Sequence, residues 1–237
     1  MHILGLAALV IVALLACRQS SNKSGASASA SAPPAAADPV DAAATPEAQK
    51  ARVTKKVATL EAIAKQKLPP ISAKRTLKAA PPKPTLDGFV NSPNAALASL
   101  EQLAELRVDK QLPSFVTTSL SWCGAWISGK KASIDERYIR ECDGFRYVVV
   151  LRFSRLIKPK MTGASTYRPG NCAGDATVFD IETGERLGSV PFSAANAGEL
   201  EAMQGVEQGR VESDLNRRCA WAAQVEIDEI FGDPTPK

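Results

Sequence analysis

The sequence predicts an α+β domain, a small antiparallel sheet of three to five strands with helices packed on one face, preceded by a disordered linker. Three observations favour this class. Apolar residues alternate along residues 145–153, two strand-like segments flank a Gly-containing turn at 182–185, and apolar residues recur at helical spacing near the C-terminus. Strands and helices do not alternate regularly, so a parallel βαβ fold is not expected.

Residues 1–16 have the pattern of a secretory signal, since their apolar run is shorter than the roughly 20 residues that span a bilayer. The sequence Leu14-Leu-Ala-Cys17 resembles a bacterial lipobox. The resemblance implies that Cys17 becomes a lipidated N-terminus carrying acyl chains such as palmitate, whereas the alternative is an ordinary cleaved signal. Arg18, where Asp would favour the inner membrane, implies sorting to the outer membrane.

Residues 17–84 are predicted to be the lipidated cysteine followed by a tether. From Ser20 to Ala44, 19 of 25 residues are Ala, Ser or Pro, and such a segment buries too little apolar surface to offset the entropy of ordering. Charge is divided unevenly: residues 18–84 carry a net +8 and residues 85–237 a net −4. The sequence therefore predicts a basic tether on an acidic domain.

A helix is predicted within the tether at residues 46–68, with Thr45 as N-cap and Pro46 at the first helical position. Its thin apolar stripe consists of Val53, Val57, Leu60, Ala64 and Leu68. The helix is either a short coiled coil or docking helix, or a marginal helix inside a linker. The second interpretation is favoured because two heptads rarely hold alone. Residues up to Pro84 are accordingly expected to be removable without unfolding the rest.

The globular domain is assigned to residues 85–237, and its elements follow from local patterns. The predicted elements are a helix from Ser92-Pro93 to about Val108, an ambiguous strand or buried helix at 115–127, a central strand at 145–153, a hairpin of 176–181 with 186–192, and a final helix. The final helix is capped by Ser213 and stopped by Gly232 and Pro234. Its apolar face consists of Leu215, Cys219, Ala223, Ile227 and Ile230. The hairpin needs a left-handed residue in its turn, which Gly184 supplies.

The order of motifs in residues 145–230 carries a resemblance. An apolar strand, Tyr167-Arg-Pro-Gly-Asn-Cys172, a strand ending in Val178-Phe-Asp180, the Thr183-Gly-Glu185 turn, a Leu187-Gly-Ser-Val190 strand and a C-terminal helix follow one another. This order resembles uncharacterised lipoproteins of Gram-negative bacteria. The resemblance implies a fold and an address in the cell envelope, and it implies no activity.

Four cysteines remain once Cys17 is assigned to lipid: Cys123, Cys142, Cys172 and Cys219. An even number of cysteines in an oxidising compartment predicts two disulfides. Of the three possible connectivities, we predict Cys123 with Cys142, which closes a short loop before the central strand, and Cys172 with Cys219, which ties the hairpin to the final helix.

Several chemistries are disfavoured by residue content. His2 is the only histidine and leaves with the signal, so neither a histidine-based triad nor a histidine metal site is expected. The sequence from Gly124 to Lys131 matches G-x-x-x-x-G-K but lacks the following Ser or Thr that would hold Mg²⁺. No cofactor or metal is predicted, and a domain of net charge −4 is not expected to bind nucleic acid.

Three sets of residues could still form a site. The first comprises carboxylate pairs for glycoside hydrolysis, namely Asp135 with Glu136, Asp175 with Asp180, and Glu182 with Glu185. The second comprises tryptophans that could stack on sugars, namely Trp122, Trp126 and Trp221. The favoured interpretations are the simpler ones, turn solvation for the carboxylates and core packing for the tryptophans.

The third set is a basic run over residues 137–168, where eight Lys and Arg stand against Glu141 and Asp143. Arg146 and Arg152 would lie on the polar face of the central strand and could meet an anionic glycan or an acidic protein. A solvated sheet face is the simpler interpretation.

Together these patterns favour an envelope lipoprotein with a non-catalytic binding or structural domain in the periplasm or at the cell surface. The membrane is its partner through the lipid on Cys17, and a cell-wall polymer or an envelope protein is the expected second partner. The alternative is a cell-wall glycan hydrolase with paired carboxylates, which predicts one acidic residue with a strongly raised pKa in a concave pocket.

Overall fold

The computed structural model describes residues 45–89, 93–105, 118–163, 166–196 and 208–231. In chain order the elements are α1 (Pro46–Ala64), β1 (Ala95–Ala98), α2 (Leu100–Ala104), α3 (Thr118–Ile127), α4 (Glu136–Gly144), β2 (Tyr147–Ile157), β3 (Lys160–Met161), β4 (Tyr167–Arg168), β5 (Asn171–Asp180), β6 (Arg186–Ala195) and α5 (Gln208–Phe231). The signal segment, Cys17 and the Ala/Ser/Pro-rich stretch lie outside the described residues, so their assigned roles stay predictions.

The described strands form a four-stranded sheet in the order β1-β2-β5-β6 and a two-stranded sheet of β3 with β4. The α+β class is confirmed. The sheet is mixed rather than antiparallel, because β1 runs parallel to β2 with Ala95 opposite Tyr147 and Ala98 opposite Val150. The predicted helix over residues 92–108 is therefore wrong in its first half: Leu97 lies in β1. The break comes at Ser99, which forms a capping box with Gln102 and starts α2.

Helices cover both faces of the sheet, whereas the sequence predicts helices on one face. Tyr147, Val149 and Leu151 point to the side covered by α5, which we call the α5 face. Val148 and Val150 point to the side covered by α1, α2, α3 and α4, which we call the four-helix face. Successive side chains of a strand alternate between faces, and β2 is apolar on both, so two layers of helix are needed to bury it.

Helix α1 belongs to the folded domain. Thr45 caps it as predicted, accepting a hydrogen bond from the amide of Ala48 at 3.3 Å. Four apolar side chains, Val53, Val57, Leu60 and Ile63, are at most 1% exposed and pack in the same cluster as β2 and β5. The domain boundary at Thr85 and the marginal-linker interpretation are both corrected: a stripe too thin to stabilise an isolated helix is sufficient when a sheet face completes its burial.

The chain between α1 and β1 also packs on the sheet. The Thr76 amide donates to the carbonyl of Ser189 at 2.8 Å, so a short strap lies along the outer edge of β6. At the opposite edge the Ala95 amide donates to Thr85 and the Asp87 amide donates to Ala95, which places a second strap on β1. Thr76, which the sequence assigned to the tether, thus covers part of the β6 edge, and Thr85 to Asp87, the first residues of the predicted domain, cover the start of β1.

The remaining elements include two confirmed predictions. The β5–β6 hairpin is present with Gly184 at φ +73°, and α5 buries Leu215, Cys219, Ala223 and Ile227. The ambiguous 115–127 stretch contains α3, and α4 was not predicted. Helix α5 starts at Gln208 rather than at Ser213, and Gly232 lies outside the described residues. Among the helices that the structure describes, none is long and apolar enough to cross a membrane.

Candidate functional site

The cysteine pairing is as predicted. Cys123 joins Cys142 across 19 residues, and Cys172 joins Cys219 across 47 residues. The first bond links α3 to α4 on the four-helix face, and the second links β5 to α5 on the other face. These four cysteines are consequently structural, and no group of three described His, Cys, Asp or Glu residues is placed to hold a metal ion.

Arg146 and Arg152 do not form an open anion-binding face. Arg152 is 13% exposed and binds Asp175, with Nε 2.7 Å from Oδ1. Arg146 binds Asp180 at 2.9 Å. The four-helix face desolvates Arg152, and a guanidinium held there requires a carboxylate partner, whereas Arg146 is 41% exposed but is likewise paired. The predicted partner face is therefore used inside the fold.

The predicted carboxylate pairs serve local structure. Asp175 and Asp180 are the partners of the two arginines, and Asp180 also accepts the amide of Glu182 at 2.8 Å in the hairpin turn. Asp135 caps α4 by accepting the Arg137 amide at 2.8 Å. None of these described carboxylates faces a second one across an open cleft, because each is turned to its own amide or cation.

A carboxylate that sequence reasoning did not single out is perturbed. Burial, together with the negative charge of Glu141, raises the pKa of Asp87 above its ordinary value. Glu141 itself accepts a hydrogen bond from the hydroxyl of Ser119. The only sequence signal is the Asp87-Gly88 pair, which is typical of a turn and carries no information about Glu141.

The G-x-x-x-x-G-K near-motif does not form a phosphate loop. Residues 124–127 are the last turn of α3, and Gly129 at φ +75° follows the end of the helix. A phosphate loop precedes a helix and directs amides at the anion, whereas this segment ends one. The Lys131 ammonium instead lies 3.2 Å from the centroid of the Trp122 ring.

The three tryptophans divide between core and surface. Trp122 stacks on Tyr138 with ring centroids 5.7 Å apart, and Trp126 packs against the four-helix core with Lys50 over its ring. Trp221, on α5, is 58% exposed. A single exposed apolar side chain is ordinary on a protein surface, but Trp221 lies with Phe89 in one cavity.

A concave site surrounds Trp221. A cavity of about 310 Å³ is lined by Phe89, Arg217, Arg218 and Trp221, and we call it the α5 pocket. Three of these residues project from the outer side of α5, because the inner side carries Leu215 and Cys219. The fourth, Phe89, comes from the turn that follows the second strap, the one on β1.

Local sequence explains how Phe89 reaches the pocket. Gln224, one turn after Trp221, accepts the Leu86 amide at 2.9 Å and donates to the carbonyl of Pro84 at 3.1 Å. The chain then turns, with the Phe89 amide bonded to the Leu86 carbonyl at 3.3 Å and Gly88 at φ +88°. That positive φ favours glycine at the third position of the turn. The turn brings Phe89 against α5.

Asp214 orients the two arginines from below. It accepts hydrogen bonds from Arg218 Nε at 3.0 Å and Asn196 Nδ2 at 3.0 Å, and it lies 3.4 Å from Arg217 Nη2. Burial opposes ionisation of Asp214, yet the hydrogen bonds from Asn196 and Arg218 together lower its pKa. Arg217 stays 76% exposed and Arg218 43% exposed. Both guanidinium groups therefore keep donors available for a ligand.

The α5 pocket can accept a ligand that is both anionic and flat on one side. An indole ring offers a stacking surface, and guanidinium groups bind carboxylates in a planar geometry. A second cavity, of about 370 Å³, lies near Phe192 and Ile71, and Glu226 is its only charged lining residue. No cation lines this cavity, so it is not suited to bind an anion.

The sequence contained a signal for this site that was not used. Arg217, Arg218 and Trp221 fall within five residues, on the side of the predicted helix away from its apolar stripe.

Comparisons of the chain with protein families, with characterised proteins and with solved structures found no match, so the site rests on its own residues.

Proposed function

We propose that this protein is a lipid-anchored, non-catalytic binding protein of the cell envelope, and that its α5 pocket holds an acidic glycan. The observation that carries the proposal is Trp221, 58% exposed beside Arg217 and Arg218 in one cavity. A sugar ring would stack its C–H face on the indole while a carboxylate accepts hydrogen bonds from the arginines.

The lipobox at Cys17 supports the anchored location, outer membrane in preference to inner, with the domain in the periplasm or at the surface. Two disulfides in a domain of this size fit a compartment where thiols are oxidised. A cell-wall polymer is the favoured partner because its sugars carry carboxylates, and an acidic envelope protein is the alternative partner. The excess of basic residues over residues 46–84 adds a loose, salt-dependent attraction to the same polymers.

Binding to the α5 pocket can be tested by calorimetric titration of full-length protein carrying Cys17→Ser, which removes the lipid site. The ligands are soluble wall-glycan fragments and an oligouronate, with a neutral oligosaccharide of equal length for comparison. Trp221→Ala and Arg217→Glu are each expected to weaken binding about tenfold. Arg186→Glu, an exposed arginine at the hairpin turn, is the matched control and should bind as the parent does.

Equal affinity for acidic and neutral sugars, or unchanged binding in both pocket variants, would contradict the proposal. The anchor is tested separately, by metabolic labelling with a fatty-acid probe and fractionation of envelopes. Label on the parent protein and none on Cys17→Ser is the expected result.

One observation favours a second function, the hydrolysis of wall glycan. The raised pKa of Asp87, caused by burial and by Glu141, is what a general acid requires. In that case purified protein would release reducing ends from wall glycan, and Asp87→Asn would abolish the release. Binding without turnover, unchanged in Asp87→Asn, would leave the binding function alone.

A further inference from the structure

A strongly basic segment follows the buried part of β2. No Asp or Glu occurs between Gly144 and Gly174. The end of β2, the two-stranded β3–β4 sheet and the chain between them form what we call the basic arm, residues 155–163 and 166–168. Its cations are Arg155, Lys158, Lys160 and Arg168, and all four are exposed.

The cations of the arm are not used by the fold. Arg146 and Arg152, earlier on the same strand, each bind a carboxylate, but within the described residues none of the four arm cations forms an ion pair. Lys160 even lies directly opposite Arg168 in the β3–β4 register. Like charges in that position destabilise a strand pair, so the arrangement costs stability that an external anion would return.

Apolar side chains are exposed among these cations. Leu156 is 40% and Ile157 48% exposed, and they are two of the four large hydrophobic residues exposed in the described structure. Along β2 the residues from Tyr147 to Leu151 are buried, so exposure begins where the strand leaves the shelter of both helix layers.

The arm is held firmly at its base. Gln208, the first residue of α5, donates to the Pro159 carbonyl at 2.8 Å and accepts the Met161 amide at 3.2 Å. Asn196 accepts the Gly170 amide at 2.9 Å. A Cβ on Gly170 would lie 2.4 Å from the Ile157 carbonyl oxygen, a contact that only glycine avoids. The arm is therefore a preorganised surface.

We propose that the basic arm docks edge-on on an anionic lipid surface. Leu156 and Ile157 are neighbours on a strand and point to opposite faces, and β1 pairs with β2 only as far as Val150. An approach by this uncovered edge brings both side chains into the headgroup region. Cations near such a surface each contribute about 1 kcal/mol of attraction, and aliphatic side chains gain from burial at the boundary of the acyl chains. A soluble polyanion would satisfy the charges and leave both aliphatic residues in water. The combination favours a bilayer.

Membrane docking by the basic arm depends on the proposed function in one respect: the lipid on Cys17 would supply the nearby membrane. Between Cys17 and Thr45, where α1 begins, lie 28 residue steps, which reach at most about 95 Å. The anchor keeps the domain within contact distance of its own membrane, but docking itself needs no anchor.

The test uses full-length Cys17→Ser protein and co-sedimentation with vesicles of phosphatidylcholine alone or mixed with phosphatidylglycerol. We expect binding to the mixed vesicles only. Lys158→Glu with Lys160→Glu should weaken it at least about 25-fold, from the roughly fivefold per cation that the attraction above implies. Leu156→Ser with Ile157→Ser should weaken it about tenfold. Lys65→Glu with Lys67→Glu, exposed lysines at the end of α1, is the control and should bind nearly as the parent.

Three results would overturn the inference. One is an absence of binding to mixed vesicles; another is equal loss in the Lys65 and Lys67 control. The third is normal vesicle binding by the Leu156 and Ile157 variant together with tight binding of dextran sulfate, which would make the arm a general polyanion site. The Trp221→Ala variant should bind vesicles normally, so failure of the glycan proposal and failure of this one are distinguishable. Circular dichroism and the melting temperature verify each fold, with Lys158→Gln and Lys160→Gln as milder variants.

Discussion

The α5 face is covered by one helix of 24 residues, whereas the four-helix face is covered by helices of 19, 5, 10 and 9 residues. Each face has its own apolar cluster and its own disulfide. A long helix buries one side and leaves a continuous outer side, which is where the α5 pocket lies. Short helices meet edge to edge and use their polar residues to hold one another. The comparison indicates that the two layers share one stabilising role and that the outer side of α5, in addition, presents the α5 pocket.

The largest expected effect tests whether both layers are equally necessary. Val53 and Leu60 on α1, and Val211 and Leu215 on α5, are all at most 1% exposed. Changing either pair to Ala should lower the free energy of unfolding by about 5 kcal/mol, since each truncation leaves a cavity. Urea denaturation of the two double variants makes the comparison. A loss below about 1 kcal/mol for the α1 pair would restore the tether interpretation.

The two disulfides should contribute unequally to the free energy of unfolding, and the bond that closes the longer loop should contribute more. Loop closure predicts about 4 kcal/mol for the 47-residue Cys172–Cys219 loop and about 3 kcal/mol for the 19-residue Cys123–Cys142 loop. Replacing each pair by Ala and measuring denaturation midpoints gives the order. A larger loss on the four-helix face would show that packing, not chain entropy, decides how much each bond stabilises.

The ion pair of Arg152 should be the costly one to break on the four-helix face. Arg152→Met leaves the carboxylate of Asp175, itself 1% exposed, without its cation, and should cost about 3 kcal/mol. Arg146→Met should cost about 1 kcal/mol, because Arg146 is 41% exposed. Adding Asp175→Asn to Arg152→Met should recover part of the loss. No recovery would mean that Arg152 acts through its packing.

Lowering the pH should produce the smallest of these effects on the free energy of unfolding. One carboxylate on each face contributes to it. The pKa of Asp143 is lowered chiefly by its hydrogen bond from Arg52, and that of Asp214 is lowered by Asn196 and Arg218 against the effect of burial. A lowered folded-state pKa stabilises the fold above the unfolded value of about 3.9 and ceases to do so as pH falls through the folded value. Asp143→Asn and Asp214→Asn should each flatten the loss of stability below about pH 4. An unchanged pH profile in both would contradict the assignment.

The sequence predicted the elements whose signals are local. Gly184 between two apolar runs predicts the β5–β6 hairpin, and apolar residues repeated over about four turns predict α5. The pairing of Cys172 with Cys219 followed from the placement of those elements, and the pairing of Cys123 with Cys142 from their closeness in the sequence. Each of these patterns lies within one contiguous stretch, so no distant contact was needed to recognise it.

The elements that sequence reasoning missed depend on partners far along the chain. Residues 95–98, Ala-Ala-Leu-Ala, have a helical propensity, and pairing with β2 overrides it. In α4 only Cys142 is fully buried, with Ile139 packed beside it, and so short an apolar stripe was not recognised as a helix. The partner face built on Arg146 and Arg152 was wrong for the same reason: the acids that bind them, Asp180 and Asp175, come from the neighbouring strand.

The two straps limit how neighbouring copies of the protein could pair through their sheet edges. Lipid-anchored copies would share a two-dimensional layer at high local concentration, where an open sheet edge invites pairing with a neighbour. The Thr76 strap covers β6, and Gly188 admits it so closely that a Cβ would lie 2.4 Å from the Leu77 Cα. Pro191, further along β6, has no amide to offer. The Thr85 strap bonds to Ala95 at the start of β1, so in the described part of the chain each outer strand has some of its edge groups satisfied internally, and fewer of them remain for a neighbouring copy to pair with.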